Sequence, residues 1–443
     1  MKEIIEQEEA KIRYKKQYLI LHTGSEIEND TIYDQRIVTS GITTQSHYEV
    51  LKQEIDDAKE TIMLSTFLFD DIDLAHLLIK AADRLKGGVY ILTSILDDKL
   101  LDEYNFNKSD RNKHLEVIRL LQGTRVSVKS VPHLHAKFWT IDSKRAVVTS
   151  ANLTERSLRE VAELGVIIAN AESVRQLEHY FQRLWFEFAT EKAQDGRILG
   201  IRGFQGTPYF VDKDLEELSY DIYRETDNKQ WEIGDWYDTF HHLVKNAEDE
   251  IIIATYSIYL KGSKLLPLLR EKLDNGIKVR ILVANYVFRR KSGTRDQLIK
   301  LKNGYQDLFE FYVHNSNHAK FLIIDNRRAL VSTKNYGKKG SFDQSFEIGY
   351  LSDKYVEDLL HIWEHLVSEC DSIEWVTDRN EYYQNLAGIL DLDLYFDDII
   401  IWIWTPAKAV FNWVRGPSVQ ELIDKIESAA YLKYFELKNG KKI

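Results

Sequence analysis

Cysteine is almost missing from this chain. Cys370 is the only one among 443 residues, which excludes a disulfide framework and fits a reducing, cytoplasmic setting. Long apolar runs are missing too: Ile399 to Trp404, the most apolar stretch, is six residues, too short to cross a bilayer. Met1 to Lys16 is charged throughout, so neither a signal region nor a transmembrane segment is expected. There is no low-complexity segment. No Cys/His cluster has ligand spacing, so neither a metal nor another cofactor is expected. Positive charge is outweighed. A net charge of −11 speaks mildly against a protein that coats nucleic acid non-specifically, while leaving room for a local basic groove.

What is present is globular: 44% hydrophobic and 12% aromatic residues, in a chain long enough for two domains and an appendage. The chain is organised around His135-Ala136-Lys137, followed by Asp142 and by Thr149-Ser150-Ala151-Asn152. A second copy reads His318-Ala319-Lys320, then Asp325, then Ser332-Thr333-Lys334-Asn335. In both, the Asp lies seven residues after the His and the Asn ten residues after the Asp. Glu163 follows its His by 28 residues and Glu347 by 29. Two matching constellations in one chain read as two halves of one active site.

The surroundings are duplicated as well. Helix, strand, helix and strand are expected at Tyr48–Ala58, Thr61–Phe69, Leu74–Leu85 and Val89–Thr93. The same order returns at Tyr237–Ala247, Glu250–Tyr259, Leu265–Leu273 and Val279–Val283. The offset is 189 residues at Tyr48/Tyr237 and Thr66/Thr255, 190 at Ile91/Ile281 and 183 at the motif histidines. So steady an offset indicates an internal repeat rather than two unrelated α/β units. Each motif reads as a β-hairpin that turns at its Asp, with His and Lys, two residues apart, on one strand face. Amphipathic helices through Val174, Leu177 and Phe181 and through Val356, Leu359 and Trp363 close the halves. The expected organisation is a first repeat over 1–190 with an N-terminal extension that includes a charged helix and a strand at Tyr18–His22. A polar connector over 191–230, a second repeat over 231–370 and a C-terminal extension over 371–443 follow.

A neutral imidazole can attack phosphorus, and a protonated one can supply a proton to the leaving oxygen. Two motifs about an approximate twofold axis would set these groups on opposite sides of one phosphate. Lys137 and Lys320 suit its non-bridging oxygens, Asn152 and Asn335 could donate to them without adding charge, and Ser150 and Thr333 stand beside as pocket support. Glu163 and Glu347 are placed to accept from the far nitrogen of a histidine. Asp142 and Asp325, at hairpin turns, read as structural. The other histidines, His47 among them, read as ordinary surface or core.

The pattern resembles the phospholipase D superfamily signature, His-x-Lys, four residues, Asp, six residues, Gly-Gly/Ser-x-Asn. His135, Lys137, Asp142, Ser150 and Asn152 match in one copy and His318, Lys320, Asp325 and Asn335 in the other, with Thr149, Ser332 and Thr333 as departures. The resemblance covers about residues 40 to 370. It implies an α/β fold of two repeats packed about a pseudo-twofold axis, with the aromatic-rich C-terminal extension outside it. It also implies a phosphohistidine intermediate, phosphodiester substrates, a nucleophile at His135 and a general acid at His318.

That superfamily holds both lipid enzymes and nucleases. Basic residues in loops after the second strand of each half favour DNA or RNA: Lys108, Arg111 and Lys113, then Arg289, Arg290, Lys291 and Arg295, joined by Lys334, Lys338 and Lys339. Against this stand the acidic total and the C-terminal Trp402, Trp404, Phe411 and Trp413, which could face lipid, dock a partner or pack on the second repeat. The expectation is a metal-independent nuclease, monomeric or homodimeric, with an ATPase or helicase partner in a bacterial defence or repair complex. A phospholipase D or phosphatidyltransferase is the alternative, and a catalytically dead binding protein the second.

Overall fold

Residues 251–253 are three consecutive isoleucines, a run that suits a strand covered on both faces rather than one. In the computed structural model both faces are covered. The structure describes residues 18–22, 36–42, 46–95, 108–189, 191–194, 197–200, 231–234, 236–285, 287, 293–336 and 345–370. The C-terminal extension and Arg289, Arg290, Lys291, Lys338 and Lys339 lie outside them.

Strands β1 (Tyr18–His22) and β2 (Ile37–Ser40) precede the first repeat. The repeat runs α1 (His47–Asp57), β3 (Thr61–Ser65), α2 (Ile72–Arg84), β4 (Gly88–Thr93), α3 (Lys108–Leu121) and β5 (Val126–Ser130). The motif hairpin β6 (Phe138–Ile141) and β7 (Arg145–Thr149) follows, then α4 (Glu155–Arg159), β8 (Glu163–Ile168) and α5 (Ala171–Arg183), which passes into a π-helical turn. Next come β9 (Glu191–Gln194), β10 (Arg197–Gly200) and β11 (Trp231–Gly234). The second repeat runs α6 (Trp236–Lys245), β12 (Glu250–Thr255), α7 (Leu265–Asp274), β13 (Lys278–Ala284), α8 (Thr294–Gly304) and β14 (Phe309–His314). It finishes with β15 (Phe321–Ile324), β16 (Arg328–Ser332), β17 (Glu347–Ser352) and α9 (Val356–Ser368).

The strand orders are β10-β9-β5-β4-β3-β6-β7-β8-β2 and β11-β1-β17-β16-β15-β12-β13-β14. Within them β5-β4-β3-β6-β7-β8 and β14-β13-β12-β15-β16-β17 are the same six-stranded unit, with three parallel strands followed by antiparallel ones. The protein is therefore α/β with two alike repeats.

Strand alternation divides the core into three. Ile252, Ala254, Phe321 and Val331 face inward, with Leu92, Phe138, Val148 and Val166 of the other sheet and with Leu177, Phe181, Leu359 and Trp363 of helices α5 and α9. Ile251, Ile253, Val279 and Ile281 turn the other way, onto the outer helices of the second repeat. Ile62, Leu64, Val89 and Ile91 do the same in the first. The inner layer belongs to both repeats, so the closing helices join them. Each fully buried Leu or Phe contributes about 1.5 to 3 kcal/mol there.

Two placements differ from the sequence expectation. Strand β1 does not extend the first repeat: it pairs parallel with β17 and antiparallel with β11, in the second sheet. A period-two pattern marks a strand but not its partner, and the open edge of β17 takes it. The start of the connector, expected only to be polar, joins the first sheet: β9 and β10 form a hairpin on the edge of β5.

Candidate active site

Each motif begins as the sequence suggested, with a hairpin whose ends meet. Thr149 N donates to Lys137 O, and Ser332 N to Lys320 O, both at 3.0 Å. At the turns, Asp142 and Ser143, and Asp325 and Asn326, all adopt positive φ, between 51° and 55°. Short polar side chains tolerate this region. The Asp142 carboxylate accepts from the backbone N–H groups of Lys59, Glu60 and Thr61 at 2.7 to 2.9 Å. That of Asp325 accepts from Glu248, Asp249 and Glu250 at 2.7 to 3.1 Å. Partial burial works against each charge, yet the three donors hold both carboxyls below the ordinary range. These aspartates pin the hairpin to the start of β3 or β12, at the end away from the histidines.

The other ends of the hairpins meet across the repeats. His135 N donates to Phe346 O at 2.9 Å and Phe346 N to His133 O at 3.0 Å, around a short parallel bridge between Leu134 and Phe346. The counterpart bridge joins Ala162 to Asn317, with His318 N donating to Ala162 O at 2.8 Å. Each bridge sets a histidine beside the residue that opens β8 or β17 of the other repeat, and that residue is a glutamate. His135 Nδ1 lies 2.9 Å from both oxygens of Glu347, and His318 Nδ1 lies 2.8 Å from Glu163 Oε1. The pairing is therefore crossed: each repeat supplies the carboxylate for the other's imidazole. With Nδ1–H given to a carboxylate, the lone pair of a neutral ring is left on Nε2.

Both glutamates are buried, with side chains 0% and 1% exposed for Glu163 and Glu347. Burial alone would raise their pKa values. The facing histidines and nearby lysines overcome it and bring both down to about 2. Burial pushes His135 down to about 4 against the pull of Glu347, and His318 is lowered for the same reason against Glu163. At neutral pH each site thus holds a carboxylate beside an imidazole of weakened basicity. Lys137 and Lys320 are wholly buried, each bonding the backbone oxygen of its own motif His at 2.8 Å. Desolvation lowers them to about 7 and about 8. Buried ammonium groups of this kind are stabilised by an arriving anion.

Ser150 and Thr333 turn their hydroxyls to the glutamates. The hydroxyls donate to Glu163 Oε2 and Glu347 Oε2, both at 2.5 Å, and accept from Leu164 N and Ile348 N at 3.0 Å. Strands β8 and β17 run directly alongside, so these hydroxyls orient the carboxylates. Asn152 and Asn335 give their Oδ1 atoms to the scaffold through long hydrogen bonds, from Leu68 N at 3.4 Å and Thr255 Oγ1 at 3.5 Å. Those bonds leave Nδ2 as the donating end.

The departures at Thr149 and Ser332 have a local role. Thr149 Oγ1 accepts from Ala151 N at 3.0 Å and Ser332 Oγ from Lys334 N at 2.9 Å, which shapes the turn leading to each Asn. The room comes from the neighbouring strand, where Gly165 stands opposite Thr149 and Gly349 opposite Ser332. A Cβ on Gly165 would lie 2.9 Å from Thr149 Cβ.

Sequence reasoning missed several site residues. The glycines form a repeated Glu-x-Gly, Glu163-Leu164-Gly165 and Glu347-Ile348-Gly349, that the duplicated pattern could have revealed. His135 packs edge-on against Phe67 at 5.7 Å and His318 against Tyr256 at 5.0 Å, and these aromatics stand at the same 189-residue offset as Thr66 and Thr255. His47 is a core residue, as expected, and it packs behind the first motif. Its Nδ1 meets Ser40 Oγ and its Nε2 meets Thr149 Oγ1, both at 2.7 Å, and burial holds it down to about 4. Of the residues placed in basic loops, Lys108, Arg111 and Lys113 lie on helix α3 and Arg295 on α8. Lys334 is buried beside Glu347. Among the described residues, no group of three or more His, Cys, Asp or Glu could hold a metal ion, and no helix is long and apolar enough to cross a membrane.

Comparison with known proteins agrees with this geometry. The family described as "Cardiolipin synthase, PLD-like domain" matches residues 51–185 and 240–365, more than half of the chain. The 5'-3' exonuclease PLD4 of Mus musculus is 49% identical over 53 residues, 12% of this chain and 10% of that protein. The virion nicking-joining enzyme of Vaccinia virus (strain Copenhagen) is 23% identical over 265 residues, covering 52% of this chain and 62% of the viral one. Each match thus spans less than two thirds of the relative's length. Among solved structures, the phosphatidylserine synthase of Haemophilus influenzae Rd KW20 superposes with a TM-score of 0.54 at 12% identity, over 87% of this chain and 96% of its own, a likeness of fold.

Proposed function

Because the chain belongs to the phospholipase D superfamily, we propose that it is a metal-independent phosphodiesterase that cleaves DNA or RNA through a phosphohistidine. The crossed His–Glu pairs carry this reading: two imidazoles, each with Nδ1 held by a buried carboxylate, share one site with two buried lysines. His135 Nε2 forms the bond to phosphorus as the bond to the leaving oxygen breaks, and the Nε2 proton of His318 passes to that oxygen. Water then attacks the phosphohistidine, gives its proton back to His318 and frees His135. Lys137, Lys320 and the Nδ2 groups of Asn152 and Asn335 stabilise the charge on the non-bridging oxygens. Two ammonium groups in a desolvated site supply positive charge that other phosphodiesterases take from a metal ion.

Support for nucleic acid comes from the nuclease relatives and from the basic residues of the sequence, several of them outside the described region. The second reading, transfer or hydrolysis of a phospholipid headgroup, is favoured by the family description and by a fold shared with a phosphatidylserine synthase. Single-stranded and duplex DNA, RNA and phospholipid vesicles, each incubated with the protein in EDTA, decide between them. EDTA-resistant cleavage of a nucleic acid, abolished by His135→Asn, is the expected result. Headgroup release alone would replace the reading with the lipid one, and inertness on every substrate and on bis-p-nitrophenyl phosphate would overturn both.

A further inference from the structure

Compared residue by residue, the half-sites differ at their carboxylates. Glu163 receives His318 Nδ1 at 2.8 Å and the Ser150 hydroxyl at 2.5 Å. Glu347 receives His135 Nδ1 at 2.9 Å from each of its oxygens and the Thr333 hydroxyl at 2.5 Å, and also the hydroxyl of buried Ser345 at 2.9 Å. Ser345 precedes Glu347 by two residues, and the matching residue before Glu163 is Val161, which has no donor. Buried Lys334 stands between Thr333 and Asn335, and its charge acts on Glu347. Its counterpart between Ser150 and Asn152 is Ala151.

A carboxylate shared among more donors lends less negative potential to any one of them. An imidazolium at His135 is therefore held less firmly than one at His318, and the charge of Lys334 on the same carboxylate weakens the hold further. Resting on the phosphohistidine reading, we propose that Ser345 and Lys334 set the direction of the reaction. They take up part of the negative charge of Glu347 and leave His135 the more weakly basic ring for attack, while Glu163 gives a larger share of its charge to His318, the ring that carries the proton during the reaction.

The other charged groups either act on both sides or set a threshold. Lys137 and Lys320 oppose protonation of both rings. Lys320 Nζ also comes within 3.4 Å of His318 Nδ1, so the combined effect of Ser345 and Lys334 must exceed that repulsion. Behind Glu163 stands His47 of helix α1, neutral at the working pH. Water helps in the same direction, because the His318 side chain is 21% exposed and that of His135 13%.

The test is an NMR titration of both imidazoles in the full chain without substrate, in the wild type, Lys334→Ala, Ser345→Val and the double variant. Ser345→Ala replaces Ser345→Val should the larger side chain disturb folding. The wild-type His135 midpoint is expected below that of His318. In the double variant it rises by about one pH unit, a tenfold gain in proton affinity, while His318 stays in place. Lys334→Arg and Ser345→Thr retain wild-type behaviour, which loss of packing alone would not produce. Equal midpoints in the wild type, or an unmoved His135 in the double variant, overturn the inference. Failure of the phosphodiesterase reading has a different signature: no turnover on any substrate, with the wild-type midpoints still apart.

Discussion

Helices that correspond in the two repeats begin differently. Asp71 and Asn170 each accept a backbone N–H at the start of α2 and α5. The N-cap positions of their counterparts α7 and α9 are Lys264 and Tyr355, which make no such bond, and at α7 only a long contact of 3.4 Å runs from Leu266 N to the Ser263 hydroxyl. The sheet edges diverge as well, β2 lying antiparallel to β8 and β1 parallel to β17. Yet hairpins, aspartate clamps, crossed carboxylates and buried lysines match to within a few tenths of an ångström. A cap contributes about 1 kcal/mol and has many substitutes, whereas a histidine of one repeat held by a buried glutamate of the other has none. Features that only stabilise have drifted apart, and features that place the rings have not.

The sharpest way to break the match is chemical. His135→Ala and His318→Ala should both lower cleavage of a natural diester, by about 10⁴-fold or more for the nucleophile and about 10² to 10⁴ for the acid. With a p-nitrophenyl leaving group, which departs without a proton, His318→Ala should recover most of the rate of the first step and His135→Ala none. The burst of p-nitrophenol in the first turnover checks this, and equal bursts would erase the distinction between the rings.

A smaller effect should be shared evenly. Asp142→Ala and Asp325→Ala each leave three backbone donors without their carboxylate, at a cost of about 1 to 3 kcal/mol, nearer the low end because the groups are only partly buried and solvent screens them. Both carboxyls are depressed in the folded protein, so their contribution is present at neutral pH and lost as pH falls through their folded pKa values. Urea melts should therefore show wild type and variants converging in the acid range, with the two variants alike. Smallest is a difference between glycines. Gly165→Ala should cost about 1 to 3 kcal/mol by overpacking against Thr149. Gly349→Ala, opposite the smaller Ser332, should cost less by thermal melting, and Thr149→Ser should narrow the gap.

The hairpins, the closing helices and the duplication were legible because each is written in local period and spacing. The partner of each glutamate was not. A distance of 28 residues from His135 to Glu163 says only that both belong to one repeat, and the carboxylate in fact serves His318. That choice is made by the Leu134–Phe346 and Ala162–Asn317 bridges, tertiary contacts with no sequence period. The bonds from Ser150 and Thr333 to the glutamates were not legible for a related reason: the direction of each hydroxyl depends on the strand alongside. Lys334 looked like a surface cation because a single residue's burial leaves no mark in composition.

Strand β1 carries a consequence for how the chain is made. Tyr18 pairs with Glu347, so a segment synthesised ahead of the first repeat completes its sheet only after more than three hundred further residues have emerged. At ribosomal speeds of about 5 to 20 residues per second, that is a wait of roughly 16 to 65 s. A first repeat that leaves the ribosome early can fold its own six strands while Tyr18–His22 stands by. Docking of that strand is then among the final steps of maturation, a molecular clasp fastened once both halves are in place.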